Sequence, residues 1–396
     1  MTKKALIVVN LAGFLCFLKN DFQLLHDLGF DIEIAADGRM PNGGRAVELS
    51  LLEKAKIPFH QLNFDSKNPL SKANFTAYKE LRRVIRNNDF DFISCHTPIS
   101  GMLTRIAAQR ERRIHGTRVI YTTHGFAFCR GASKKSWLMY YPVEFILSSL
   151  CDAIVTINRE DFQNAKKMLC RKVYQLPGVG VDTERMKPRN FSYAEYRKTL
   201  GIRQKDIMVL SVGELSARKN HRVVIEALSL LPDKDRYQYI VCGRDVSGTG
   251  LEQELSDLAK KLDVRVKFLG HRTDIPEINN CADIAVIPSL REGLGLAGIE
   301  ALASGVPVIG SDVQGIRDYV IPGKTGYLCN PYEPYQFAQA ISCLSAMDGL
   351  TRERMSQYCR EKAADFTLLR SKEKLSEIYQ ETLQTFEEGN RGYKLS

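Results

Sequence analysis

The chain has 396 residues, a formal net charge of +10, 44% hydrophobic and 26% charged residues. At ~100–200 residues per domain this length suits two domains, three at most, and the ordinary globular balance excludes a disordered chain, a collagen-like repeat and a small disulfide-stapled module. The charge is uneven: residues 1–185 hold 27 Lys+Arg against 18 Asp+Glu, whereas residues 186–396 hold 29 against 28. A basic first half suits nucleic acid, an anionic membrane surface or a phosphorylated substrate, and composition does not choose among them.

In chain order, Lys3-Lys4 and the apolar run after them look like the start of a signal peptide. Asn10 interrupts the run, however, and Lys19-Asn20-Asp21 follows with no small-residue cleavage pattern. Residues 5–9 therefore read as a buried strand. No apolar run reaches the ~18–20 residues that span a bilayer, so a cytoplasmic chain is expected. Residues 14–28 read as an amphipathic helix closed by Gly29. Strands follow at 31–36, 92–95, 117–123, 153–157 and 173–176, with helices at 75–87, 101–113 and 159–169. Pro177-Gly178-Val179-Gly180-Val181-Asp182 and Pro188 form a Gly/Pro-rich break, the candidate linker. The alternation then restarts, with strands at 207–212, 237–242, 264–269, 284–288 and 306–310 and helices at 221–230, 251–262 and 295–304. The last 60 residues are mostly helical, including 371–387. Such alternation predicts an α/β chain of two doubly wound parallel-sheet domains, which bind ligands outside the carboxyl ends of their strands. Two facing domains of this kind would frame a cleft for two substrates. The ten scattered cysteines form no C-x-x-C pair and are expected as free, buried thiols.

The most informative stretch is Glu292-Gly293-Leu294-Gly295-Leu296-Ala297-Gly298-Ile299-Glu300-Ala301, a strand end, a glycine-rich turn and a helix expected to start near Leu294–Gly295. Open N–H groups at a helix start attract phosphate, and Gly293 and Gly295 let backbone approach it. A carboxylate in the turn, Glu292, can accept hydrogen bonds from sugar hydroxyls. Glu300, about two turns in, can hold a ribose diol. A capping Glu292 and a surface Glu300 are the bland alternative. In the first half His96 and His124 each stand at the carboxyl end of a strand, where either can be a loop histidine or a group that positions a substrate. No GxGxxG follows the first strand, which argues against a dinucleotide-dependent oxidoreductase. Asp89-Phe90-Asp91 and Asp233-Lys234-Asp235 read as solvated turns, so no metal is expected.

Two glutamates separated by seven residues, in the run from Glu292 to Glu300, closely resemble the signature of retaining glycosyltransferase family 4. Its fold is GT-B, two facing Rossmann-like domains. The resemblance covers nearly the whole chain. It implies that Glu292 contacts the donor sugar, Glu300 the nucleotide ribose, and the backbone of Gly293, Leu294, Gly295 and Leu296 the diphosphate. Lys219 matches the family lysine on the diphosphate. Glu214 stands where the family usually has an arginine, and Arg218 is the candidate to compensate. Arg272 falls in the loop that borders the base, and Gly13 in the first-domain glycine loop near the donor phosphate, without the family's full double-glycine motif. His124 matches the histidine near donor sugar and acceptor, and His96 is an acceptor-side candidate. Glu292, His124 and Lys219 are thus the catalytic candidates.

The implied domains are 1–182 for the acceptor and 183–370 for the nucleotide sugar, with 371–396 a helix returning towards the first domain. Features such as Tyr140-Tyr141-Pro142-Val143-Glu144 resemble enzymes that build bacterial capsular or exopolysaccharide. The implied reaction moves a hexose or N-acetylhexosamine from a UDP-sugar to an undecaprenyl-diphosphate-linked saccharide, with no cofactor. The basic first half, including Arg110, Arg112, Arg113, Lys134 and Lys135, would then make peripheral contact with the anionic inner membrane face. The rival readings are a UDP-sugar epimerase of the same fold and a basic nucleic-acid-binding protein. The latter lacks a helix-turn-helix or an aromatic-basic motif, so no nucleic acid is expected.

Overall fold

In the computed structural model, which describes residues 2–39, 44–65, 68–188, 191–246 and 248–393, two sheets carry the chain, and every strand pair within them is parallel. The first unit comprises residues 1–179 and 369–396, and the second 180–368.

The first unit contains β1 (Lys3–Leu11), β2 (Phe30–Asp37), β3 (Phe59–Gln61), β4 (Phe92–His96), β5 (Arg118–Thr123), β6 (Ala153–Thr156) and β7 (Val173–Gln175). Their order in the sheet is β3-β2-β1-β4-β5-β6-β7. Helices cover both faces of such a sheet, so its central strands must be apolar on both sides. In β1, Leu6 and Val8 pack with Ala77, Leu81 and Ile85 of the helix Lys72–Asn87. Ala5, Ile7 and Val9 point the other way, towards Leu25 and towards Leu375, Ile378 and Tyr379 of the helix Leu368–Tyr393. Burying each Leu or Ile contributes roughly 1.5–3 kcal/mol, so the last helix is part of this core and no appendage.

The second unit contains β8 (Ile207–Val212), β9 (Tyr237–Cys242), β10 (Val266–Phe268), β11 (Ile284–Ile287), β12 (Val308–Ser311) and β13 (Gly326–Cys329), in the order β10-β9-β8-β11-β12-β13. In both sheets the order reverses beside the unit's first strand, between β1 and β4 and between β8 and β11. The crevice beyond the strand ends at such a reversal is where doubly wound sheets bind ligands.

The chain passes between units within the expected Gly/Pro stretch. Gly180 has φ +89°, and a Cβ on it would lie 2.7 Å from the Cα of Leu368, so only glycine fits there without strain. The two crossings are tied together: Val181 N–H donates to Phe366 O (2.8 Å) and Leu368 N–H to Val181 O (3.1 Å).

Several local expectations change. The helix expected over 14–28 is broken at Leu18 into a 3₁₀ turn, Ala12–Phe17, and a helix, Lys19–Asp27. The tighter turn eclipses residues three apart, which buries both Leu15 and Leu18. The helix expected over 101–113 starts earlier, with Pro98 in its first turn, and stops at Ala107. A short helix, Gln109–Ile114, follows. The three- and four-residue strands β3 and β13 are too short to carry a readable alternation.

The helix Lys134–Leu147 was also not evident, because its pattern is inverted. Its one carboxylate, Glu144, turns inward and accepts from Arg105 Nη2 (2.8 Å), itself fully buried with its guanidinium 4.0 Å from the centre of the Tyr121 ring. Leu138, Met139, Val143 and Ile146 face outward, Leu138 with 81% of its surface exposed. Of the basic residues expected on a membrane surface, Arg112 is instead committed to Asp152, donating through Nε (3.2 Å) and Nη2 (2.9 Å).

Candidate active site

The loops that leave β8 and β11 meet at the reversal point of the second sheet. Gly213 (φ +153°) follows β8 so closely packed that a Cβ on neighbouring Gly243 would lie 1.7 Å from its carbonyl oxygen. The chain then makes a short 3₁₀ turn, Ala217–Lys219. Asn220, in the left-handed region at φ 54°, opens the helix His221–Ser229 and donates from Nδ2 to Pro288 O (3.2 Å) and Pro331 O (2.8 Å). Leu290 N–H also donates to Arg218 O (2.8 Å), so backbone bonds fasten the two loops side by side.

Across this seam one oxygen, Glu292 Oε2, accepts from Lys219 Nζ (2.6 Å), Ser289 Oγ (3.0 Å) and Arg218 Nη1 (3.2 Å). Burial alone would raise the Glu292 pKa. Lys219, then Arg218, outweigh it, so the carboxyl lies below its ordinary value and Glu292 is an anion at neutral pH. Arg218 is steered by a second carboxylate, with Nη2 donating to Glu214 Oε1 (3.0 Å), which also accepts from Ser216 Oγ (3.1 Å). The glutamate at the position where an arginine was expected therefore orients the arginine four residues later. Ser289 and Glu214 are site residues that the motif alone did not reveal.

Gly293, Leu294 and Gly295 lead into the helix Leu296–Ala303, whose N-cap is Gly295 at φ +80°. A Cβ there would be 3.0 Å from both Glu292 Cγ and Tyr319 Oη, and a Cβ on Gly298 only 2.3 Å from Tyr319 Oη. Tyr319, buried and donating to Gly295 O (3.3 Å), thus braces the helix start from below, a role that only the fold discloses. The helix begins at Leu296, later than expected, so Glu300 is its fifth residue and lies just past the first turn rather than two turns in. Burial raises the Glu300 pKa, opposed by Arg185, and its carboxylate has no hydrogen-bond partner among the described residues. The geometry offers an anion-binding helix start, two cations and a carboxylate with open acceptor capacity.

Arg272 is not joined to this group among the described residues. It follows edge strand β10, donates from Nε to Asp274 Oδ1 (2.8 Å) and also bonds Asp274 through Nη2, while Tyr196 Oη bonds the same carboxylate. Gly13, His96 and His124 belong to the first unit. Gly13 lies in the 3₁₀ turn after β1, with nothing within 4 Å of where its Cβ would be. His96 ends β4 and His124 follows β5, so both stand beside the reversal point of the first sheet. His96 Nδ1 and His124 Nε2 are 3.1 Å apart, and Phe14 meets the His124 ring edge-on at 4.7 Å. Among the described residues no three His, Cys, Asp or Glu side chains cluster to hold a metal ion, and no helix is long and apolar enough to cross a membrane.

Comparison with known proteins bears on the family and the fold. The family model "Glycosyltransferase Family 4" matches residues 23–185, and "Glycosyl transferases group 1" matches residues 192–362. The chain is 35% identical to "Putative glycosyltransferase EpsD" of Bacillus subtilis (strain 168), over 96% of this chain and 97% of that protein. It is 28% identical to the UDP-Gal:alpha-D-GlcNAc-diphosphoundecaprenol alpha-1,3-galactosyltransferase of Escherichia coli, over 76% and 77%. A crystal structure of HepE from Anabaena, in complex with UDP and glucose, superposes with a TM-score of 0.75 at 18% identity, covering 96% of this chain and 100% of that one. That likeness bears out the expected GT-B class, two Rossmann-like parallel-sheet domains.

Burial lowers the His124 pKa to about 4, and burial together with the neighbouring His124 lowers His96 well below its usual range. A histidine depressed in the folded state contributes stability that is fully present above its unfolded pKa, ~6.5, and lost as pH falls through the folded value. In an NMR pH titration the His124 Cε1–H resonance should therefore hold its neutral position through pH 6 and move near pH 4. A midpoint near 6.5 would contradict the desolvation of the His124 ring.

Proposed function

This chain belongs to the family 4 glycosyltransferases, and from that premise we propose that it moves a hexose or N-acetylhexosamine from a UDP-sugar to a saccharide on a lipid diphosphate, retaining anomeric configuration, in the assembly of a bacterial surface polysaccharide. The observation that carries this reading is the convergence of Lys219, Arg218 and Ser289 on one oxygen of Glu292, beside a glycine-led helix start at the sheet's reversal point. The diphosphate would lie on the Gly293–Leu296 backbone, with Lys219 and Arg218 stabilising the charge that grows on it as the sugar leaves. Glu292 would take a donor-sugar hydroxyl and Glu300 the ribose. The names of the relatives support UDP as the nucleotide and a diphosphoundecaprenol-linked sugar as the acceptor.

No covalent nucleophile is assigned. The bond from the anomeric carbon to the phosphoryl oxygen breaks, the bond to the acceptor oxygen forms on the same face, and the acceptor proton passes to the departing diphosphate. His124 orients a reacting hydroxyl. Positioning and preorganised charge supply the rate, and the cations make a divalent metal unnecessary.

The helix Lys134–Leu147 supports peripheral contact of the first unit with an anionic membrane. Exposed Leu138, Met139, Val143 and Ile146 form an apolar stripe, with Lys134 and Lys135 at its start and Arg110 and Arg113 exposed on a helix nearby in sequence. Apolar burial and attraction to anionic headgroups act together in such helices.

Glu292→Ala and Lys219→Ala should each lower acceptor-dependent UDP release by about 10²-fold or more while leaving the fold intact by near-UV circular dichroism. Wild-type rates in both would refute the site. EDTA should leave transfer intact; complete loss restored by Mg²⁺ would overturn the metal-free reading. In co-sedimentation, the triple variant Leu138→Ser, Val143→Ser, Ile146→Ser should lose binding to vesicles rich in phosphatidylglycerol. Undiminished binding would remove this helix from the membrane contact.

A further inference from the structure

We propose that Asp21, Ser94 and Tyr379 are positioning residues that fix His96 and His124 in one tautomer each, so that His124 faces substrate with Nδ1 as a hydrogen-bond acceptor. The proposal rests on the transfer reaction argued above only for the consequence, and on geometry for the arrangement.

Five side chains form an unbroken line through the core of the first unit. His124 Nε2 is 3.1 Å from His96 Nδ1, and His96 Nε2 is 3.0 Å from Ser94 Oγ. Ser94 Oγ is 3.2 Å from Tyr379 Oη, which donates to Asp21 Oδ1 at 2.6 Å. Ser94 and His96 lie two apart on β4 and so share a face of the sheet. Asp21 is the third residue of the helix Lys19–Asp27, and Tyr379 comes from the helix Leu368–Tyr393, 358 residues further along the chain. Asp21, Ser94, His96 and Tyr379 are all buried, Ser94 and Tyr379 completely.

Counting protons gives the direction. An ionised Asp21 has only acceptors, so it takes the single hydroxyl hydrogen of Tyr379. The Tyr379 oxygen can then only accept, and Ser94 gives it its own hydrogen. Ser94 Oγ in turn accepts from His96 Nε2–H. A neutral His96 so protonated offers a lone pair at Nδ1, which accepts from His124 Nε2–H. His124, neutral as well, is left with an unprotonated Nδ1. That atom has no partner among the described residues, and the ring is only half-buried. Burial raises Asp21 to about 6, which still leaves it ionised at neutral pH, and both histidines are depressed and uncharged there.

Packing does not require this line. Phe92 packs against Tyr379 with the rings tilted and 4.8 Å between centroids, and Leu25, Leu375 and Ile378 are in the same cluster, so phenylalanine at 379 and alanine at 94 would fit the same space. Buried hydroxyls and a buried carboxylate are costly among such neighbours unless each is satisfied, and an ionised Asp21, which also lies 3.7 Å from His96 Nε2, satisfies each in this order. The gain is a defined proton on each imidazole, as when a histidine's second nitrogen is held by a carboxylate.

The test uses the full chain with selectively ¹⁵N-labelled histidine. In wild type, His124 should show the Nε2–H tautomer with an unprotonated Nδ1. Tyr379→Phe and Ser94→Ala should each mix the tautomers and lower kcat about tenfold or more with donor KM within about twofold. Asp21→Asn, whose amide oxygen still accepts from Tyr379, should recover most of the activity that Asp21→Leu loses. Near-UV circular dichroism checks that each variant keeps its packing. An unchanged His124 tautomer and wild-type kcat in Tyr379→Phe would overturn the proposal. If His124→Ala alone has wild-type turnover, the catalytic reading of His124 fails, while the tautomer measurement still decides whether the line exists.

Discussion

The second unit turns on a like-for-like problem of charge. Two cations, Lys219 and Arg218, cannot be left side by side in a half-buried loop without repelling each other. Glu292 resolves this by placing one carboxylate oxygen within hydrogen-bond reach of both Lys219 and Arg218, and Ser289 completes its shell. Because Lys219 follows β8 and Glu292 follows β11, the ion pair also sews together the two loops that diverge at the sheet's reversal point. The pair is partly shielded from water, so removing one partner strands the other charge, which costs more than the pair itself is worth. Glycine at 295 and Tyr319 beneath it then set where the helix can start relative to that carboxylate.

The first unit uses the opposite chemistry. Its reversal point holds two neutral imidazoles, backed by hydroxyls and one buried carboxylate, and the last helix of the chain supplies the tyrosine in that line. This gives the long return of the chain into the first unit a purpose beyond covering the sheet. Leu375 and Ile378 hold the helix against β1 and β4, and Tyr379 reaches from that fixed position to Ser94.

Much of this was legible from residues alone. The apolar runs of β1, β4, β8, β11 and β12 are buried on both faces and so announce themselves without alternation. Glu292 and Glu300 stand in a run that reads as a tight turn leading into a helix, whereas Lys219, after β8, was singled out only by resemblance to the family motif. What stayed hidden depends on contacts far apart in the chain or on patterns that break a rule. Nothing near Asp21 points to Tyr379. The two-residue spacing of Ser94 and His96 was visible but had no meaning until the sheet placed them on one face. Glu214 read as a departure, because its value lies in where it sends Arg218. The helix Lys134–Leu147 carries its apolar side outward and its carboxylate inward, so a search for an amphipathic helix passes over it. The basic excess of the first half is likewise only partly free for a surface, since Arg105 and Arg112 are spent on Glu144 and Asp152.

The central claim is that Lys219 and Glu292 act as one unit on the departing diphosphate and its sugar. A double-mutant cycle of Lys219→Met and Glu292→Gln, read as kcat/KM for acceptor-dependent UDP release, addresses it directly. The account predicts strong non-additivity, with the double variant scarcely slower than the worse single variant. Losses that simply add would contradict it, because they would mean that the two side chains serve the reaction independently.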